Sequence, residues 1–431
     1  MRRPHPQPAA VPARLRAWPH PFAPAPMAAA LAASMALAGL ALAALLLGGC
    51  ARAPQLGWRP VAAAHYLDQR AQEWLDWSKA SRSHGTVCVS CHTALPYALA
   101  RDALGRLTGQ TALPAPQRQL LESVRTRVRL WGRLPPYYGG SSTAASFGTE
   151  AVLNALVLAT QDAHTGHASA SAQAALANMW AAQRSAGPQA GSWDWLQFGK
   201  EPWEAVDSVY YGATLAALAV GSTPPAYQRR PDVQAGLVRL RDYLARAYPS
   251  QPLLNRIDLL WAGDHLPGLI TSPVRETILG EIWSRQRADG GWSIASLMPG
   301  WRRRDGSAQP LDSDGYATGF VSLVLQQSGI APIDARLQRG LRWLEHHQSF
   351  WNGRWTSASL NRAHGLREGT IRHFMDDAAT AFAVMALARA QAPPVSPRAP
   401  DPPPAPASPY AGGRARAPAV IALGPRRLAG R

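Results

Sequence analysis

Several Ala-rich, nearly uncharged stretches that open on an acidic or hydroxyl residue mark the chain. They are TEAVLNALVLAT from Thr149, DSVYYGATLAALAVG from Asp207, DGYATGFVSLVL from Asp314 and DAATAFAVMALA from Asp377. Small apolar residues recur at helical spacing through 141–390, and no segment there alternates as a half-buried strand does. Three sites carry a Gln, a short Gly-containing turn and a Trp: Gln183 to Trp195, Gln286 to Trp292, and Gln348 to Trp355. Trp292 and Trp355 lie 63 residues apart, as do Asp314 and Asp377, so two separate markers give one period. Asp207 precedes Asp314 by 107 residues, close to two periods, and a degenerate unit near Asp258 fills the gap. The pattern predicts a helix-pair repeat. An acid or hydroxyl caps one helix, the other ends in Gln, and the turn glycine permits a positive φ. Upstream, helices are expected near 62–81 and 115–132 around a turn at 88–101, before breaks at Pro135-Pro136 and Gly139-Gly140.

The amino-terminal pattern is different. Arg2, Arg3, Arg14 and Arg16 precede an uncharged run at 27–47, which ends in Leu47, Gly48, Gly49 and Cys50. A basic region, an apolar run and small residues before a cleavage point form an export signal. The Leu-Gly-Gly-Cys end resembles a bacterial lipobox, which implies that Cys50 is diacylated and becomes the first residue. The alternative is an uncleaved membrane-spanning anchor. Both put the folded part outside the cytoplasm, and the first implies a periplasm-facing lipoprotein, at the outer membrane.

Cys88 and Cys91 are the other two cysteines, in Cys88-Val-Ser-Cys91-His92. On a helical turn, positions i, i+3 and i+4 share a face. Two thiols and an imidazole so placed resemble the c-type haem attachment motif. The resemblance implies covalent haem c, thioethers at Cys88 and Cys91, and His92 as an iron ligand. A structural zinc site needs four ligands, and His92 beside Cys91 is poor geometry for a shared tetrahedron. A redox Cys-x-x-Cys pair needs a preceding strand, where polar SKASRSHGTV stands. For the sixth iron position, no methionine lies between Met35 and Met179. His65 is the first choice, His84 the second, and an open position the third. Met179, Met298 or Met375 would serve only if the repeat region lay against the haem.

The Gln–turn–Trp elements resemble the QW repeats of squalene–hopene and related terpenoid cyclases. The acid-led helices look like those of the wider α/α-toroid class, which includes protein prenyltransferase β-subunits and complement thioester domains. The resemblance covers about 141–390 and implies an inner and an outer ring of helices. Fold class is therefore expected to be all-α, a toroid preceded by a small helical haem segment. The expected divisions are 1–50 (signal), 51–140 (haem segment), 141–391 (toroid) and 392–431 (a Pro/Ala/Arg-rich tail). The cyclases' Asp-x-Asp-Asp acid corresponds here to Asp312-Ser313-Asp314-Gly315, one carboxylate short. Asp312 and Asp314 are candidate catalytic residues, and helix capping is the competing role for Asp314 and Asp377. The prenyltransferase and thioester activities each need a cysteine, and none follows Cys91.

Charge adds little. The net +17 is carried almost wholly by arginine, and both chain ends contribute heavily to it. No dense Lys/Arg run with interleaved aromatics argues for nucleic acid. His346, His347 and His373 flank repeat junctions, where surface positions or a metal role are both open. The functional expectation is a redox protein that passes electrons through haem, with the toroid holding a periplasmic redox partner or an apolar small molecule. Haem-dependent oxidoreductase chemistry is its enzymatic form. A cyclase-type isomerase and a non-catalytic docking scaffold are the alternatives.

Overall fold

The computed structural model describes residues 57–163, 165–365 and 367–391; the expected signal segment, Cys50 and the carboxy-terminal tail lie outside them. The described residues form α-helices and short 3-10 turns, with no strand among them. The fold is all-α. The helices are α1 (Pro60–Leu75), α2 (Ala94–Thr108), α3 (Ala115–Arg129), α4 (Thr143–Asp162), α5 (Ala170–Ala181), α6 (Ser208–Gly221) and α7 (Pro225–Gln228). They continue as α8 (Pro231–Ala247), α9 (Leu253–His265), α10 (Ser272–Ser284), α11 (Ile294–Leu297), α12 (Gly315–Gln327), α13 (Ala335–His347) and α14 (Phe374–Gln391).

Six of these helices form a closed circuit of neighbours. α2 packs on α4, α4 on α6, α6 on α9, α9 on α12, α12 on α14, and α14 back on α2. Most positions of α4, α6, α12 and α14 are buried, as their Ala-rich, all-round apolar sequences require. The remaining long helices each bury one stripe. α13, for example, buries Leu337, Gly340, Leu341, Trp343 and Leu344. α5 lies against α4, α8 against α6, α10 against α9, α13 against α12, and α1 against α2 and α14.

The sequence repeat is a repeated set of bonds. Trp193, Trp292 and Trp355 are fully buried, and their indole N–H groups donate to Met179 O, Ile282 O and Leu344 O at the ends of the preceding helices. Gln286 Nε2 donates to Gly290 O of its own turn and to Arg336 O of the next helix pair, at 2.8 and 2.7 Å. Gln183 and Gln348 do the same with Gly191 and Gly236, and with Gly353 and Arg59. Gly290 has φ +95°, and a Cβ there would sit 2.7 Å from Arg339 Cβ, so the turn needs glycine on both counts. In the first element the packing indole belongs to Trp193, not Trp195, which instead donates to Trp203 O.

The expected boundary near residue 140 falls between helices that share one core. Arg127 of α3 pairs with buried Glu150 of α4, and Arg70 of α1 pairs with Asp377 of α14. The helix after the haem-type motif, α2, is itself a member of the six-helix circuit.

All six circuit helices point the same way. Residues just before or at the amino-terminal ends of α2, α6 and α14 line one cavity of about 910 Å³. The last turns of all six line another, of about 1160 Å³. Between the two ends, Trp261, Tyr316, Phe320 and Phe382 pack ring to ring at 5.0–6.0 Å and are all buried.

Candidate functional site

The Cys-x-x-Cys-His motif borders the 910 Å³ cavity. Residues 88–90 are irregular, 91–93 form a turn, and α2 begins at Ala94. The motif therefore precedes a helix instead of lying within one. Cys91 and His92 line the cavity with Trp74, Trp77, Phe198, Trp203, Phe374 and Met375. Cys88 is buried in the wall but does not line it, and its carbonyl accepts the Trp74 indole N–H at 2.8 Å. Both thiols are free. Burial pushes Cys88 up to about 12 and Cys91 well above the usual thiol value, which makes them poor thiolate nucleophiles at neutral pH.

His92 is held on three sides. Its ring stacks on Phe374 with centroids 3.6 Å apart and meets the Trp74 ring edge-on at 5.0 Å. Nδ1 lies 2.8 Å from Thr93 Oγ1. The Thr93 hydroxyl donates its own proton to Asp377 Oδ2 at 2.6 Å, so Oγ1 is left to accept from Nδ1–H. That fixes the tautomer and leaves the lone pair on Nε2. Burial, then the nearby charges of Arg70 and Lys200, push the His92 pKa down to about 3, so the ring is neutral at physiological pH.

Asp377 anchors this chain of bonds. It accepts from Thr93, from the Tyr66 hydroxyl at 3.0 Å, and from Arg70 Nε and Nη2 at 2.8 and 3.1 Å. Burial opposes the charge of Arg70, but the bond and charge of Asp377 outweigh it and raise the guanidinium pKa. Asp377 lies in the first turn of α14, and its carboxylate serves α1 and Thr93 in place of the helix cap read from sequence.

The cavity's polar wall contains Lys79, Lys200, Arg304, Glu201, Glu204 and His364. Glu201 is buried, its backbone N–H and C=O are held by the Asn361 side chain at 2.8 and 2.6 Å, and its Oε2 has no hydrogen-bond partner. Burial, then the neighbouring Asp207 carboxylate, push Glu201 up to about 9. It is therefore a neutral acid at pH 7, and nothing in its sequence context marks it as such.

The other expected site residues are placed as follows. His65 is exposed on α1 and His84 is exposed on the 3-10 turn at Ser83–Gly85; neither lines the cavity. Met375 and His364 do, so the described wall near the motif holds different candidates for a sixth ligand from those chosen by nearness in sequence. Asp314 caps α12, accepting from Tyr316 N–H and Ala317 N–H at 3.0 Å each, from Ile294 N–H at 2.6 Å and from the Ser357 hydroxyl at 2.8 Å. Burial lifts it to about 6 against those bonds. Asp312 is exposed, and neither aspartate lines the cavity. A carboxyl that accepts from its own helix, from Ile294 and from Ser357 at once is poorly placed to protonate an alkene. His347 stacks on Trp343, His373 bonds Asp376, and His346 is exposed. Among the described residues no three His, Cys, Asp or Glu side chains gather to hold a metal ion.

Compared with known proteins, the chain matches no protein-family model and no curated protein sequence.

Proposed function

We propose that this chain is an exported, lipid-anchored c-type haem protein of α/α-toroid architecture that carries electrons, with an apolar small molecule or a periplasmic redox partner meeting it at the 910 Å³ cavity. The observation that carries the reading is His92. It lines an aromatic cavity beside Cys91, with Nδ1 tied to Thr93 and Asp377 and Nε2 left to bind. A histidine ligand to a metal is usually held in this way through its other nitrogen. The cavity volume lies within the range of about 300–1000 Å³ usual for ligand and cofactor sites.

The donor set fits haem c. Cys91 and His92 face the space directly, and Cys88 stands in the wall beside them, its backbone N–H bonded to Ala80 O and its carbonyl to the Trp74 indole, so its side chain would turn toward the space on haem attachment. Lys79, Lys200 and Arg304 in the same wall suit the carboxylates that haem bears. Bound haem would supply a one-electron couple. The protein's part is to keep His92 neutral and oriented, to exclude water with Trp74, Trp77, Trp203 and Phe374, and to hold a proton on Glu201 at the wall. The closed circuit of six parallel helices with partners against them supports the toroid, and the capping bonds of Asp314 weigh against cyclase chemistry.

The test is periplasmic expression with haem-attachment machinery. Haem should survive denaturing electrophoresis, give a reducible visible spectrum, and be lost in a Cys88→Ser, Cys91→Ser variant. A polypeptide mass with no added group would overturn the reading.

A further inference from the structure

Trp351 is 91% exposed and Phe350 73% exposed, at the tip of the turn between α13 and Trp355. The two rings meet edge to face at 5.5 Å, and Val61, 69% exposed, stands on the adjoining first turn of α1. Two large aromatic side chains held together in water are an unusual surface feature for a soluble protein. Here the turn is also fixed in place. Arg59 N–H donates to Gln348 Oε1 at 2.6 Å, Gln348 Nε2 donates to Arg59 O at 3.1 Å, and Arg59 Nη2 donates to Ser349 O at 2.8 Å. The Arg59 guanidinium lies 4.9 Å over the Phe350 ring. Gly353, at φ +75°, lies so close to Ala62 that a Cβ would approach its backbone to 2.5 Å.

The aromatic tip is thus stapled to Arg59, the residue that immediately precedes α1. Arg59 is nine residues after Cys50, and nine residues reach at most about 30 Å when fully extended. Whatever holds Cys50 at a membrane holds this tip within that distance of the lipid. Tryptophan and its neighbours favour the zone between hydrocarbon and water, where the ring is desolvated and the N–H stays wet. Arg59 is an exposed residue, and its positive charge, beside the Ser349 and Phe350 carbonyls to which it is bonded, suits the lipid phosphates near them.

We propose that Phe350, Trp351 and Val61 form a bilayer-contact surface that docks into the lipid interface and orients the molecule on the membrane. The proposal rests on the lipid-anchor reading of Cys50. The occupant is the lipid surface itself, and a protein partner on the same patch is an outcome of the test.

The experiment uses the full chain with Trp351→Cys, carrying a nitroxide label, in vesicles of phosphatidylethanolamine and phosphatidylglycerol. Cys88 and Cys91 are each 6% exposed and burial keeps both thiols protonated, so the new surface thiol is the more reactive one among the described residues. The control is Ile333→Cys, 90% exposed at the opposite end of α13. Collision with membrane-dissolved oxygen should dominate at 351, and collision with a water-soluble nickel complex at 333. If the protein floats with vesicles but the 351 label stays aqueous, the docking surface is overturned while the anchor stands. A 351 label shielded from both quenchers marks a protein contact and overturns the proposal too. The same chain with Cys50→Ser separates the two ideas. Loss of membrane retention supports the anchor. If that variant instead stays on the vesicles with its 351 label in lipid, and Phe350→Ser weakens the binding at least about tenfold, the patch stands without the anchor.

Discussion

Replacing Asp377 with alanine should unfold the wall behind His92 more than any exposed change could. The carboxylate is buried with 1% of its side chain exposed and receives four donor atoms, two of them from a guanidinium with 5% exposure. Removing one member of a buried pair leaves the other charged and uncompensated, at a cost of about 3–5 kcal/mol. The Tyr66 and Thr93 hydroxyls lose their acceptor as well, and local relaxation offsets part of that. Glu73 remains as a partner for Arg70, which places the expected loss near the lower half of that range, about 3–4 kcal/mol. Urea unfolding followed by tryptophan fluorescence measures it. With a slope of about 3 kcal/mol per molar urea, the midpoint should fall by about 1 M. The double variant Arg70→Met, Asp377→Leu removes both charges and should lose less than Asp377→Ala alone. A midpoint change under about 0.3 M for Asp377→Ala, or a double variant worse than the single one, would refute the argument.

Glu201 carries a pH prediction. Its folded pKa of about 9 lies above the usual 4.5, so the folded chain holds a proton that the unfolded chain releases. The stability this proton provides is complete below about pH 4.5 and is lost as pH rises toward 9, at up to about 1.4 kcal/mol per pH unit. Glu201→Gln should match the parent near pH 4.5 and melt higher at pH 8, and parallel melting curves across that window would contradict it. Thr93→Val removes the acceptor for His92 Nδ1–H, which weakens Nε2 as a donor to iron. The midpoint potential of the haem-loaded protein should rise, and a redox titration that finds it unchanged would show that Thr93 does not tune the ligand.

The parts of the fold that follow from local periodicity are legible in the sequence alone. The Ala-rich segments from Asp207, Asp314 and Asp377 read as repeated helices, and they are helices buried over most of their length. The Gln and Trp of each repeat act within one turn and the adjacent helix ends, so their spacing carries the signal. Trp193 was missed because Trp195 stands two residues away in the same short segment, and only three-dimensional packing tells which indole reaches Met179. Asp377 looked like Asp314, since both acids open similar helices. What separates them is Arg70, 307 residues upstream in sequence and directly bonded in space. The same limit applies to Met375 and His364, which reach the cavity from far along the chain, while nearby His65 points into solvent.

The stacked rings of Trp261, Tyr316, Phe320 and Phe382 fill the core between two separate cavities, one at each end of the helix circuit. Among the described residues the two cavities share no lining residue, and Trp261 of the ring stack lines the carboxy-terminal one. A compound held only by the carboxy-terminal cavity should therefore not compete with one held beside His92, where Lys79, Lys200 and Arg304 are in the wall. Trp203 stands 6.3 Å from His92 and 5.6 Å from Tyr316, ring centre to ring centre, and brings that stack to the wall of the cavity beside His92.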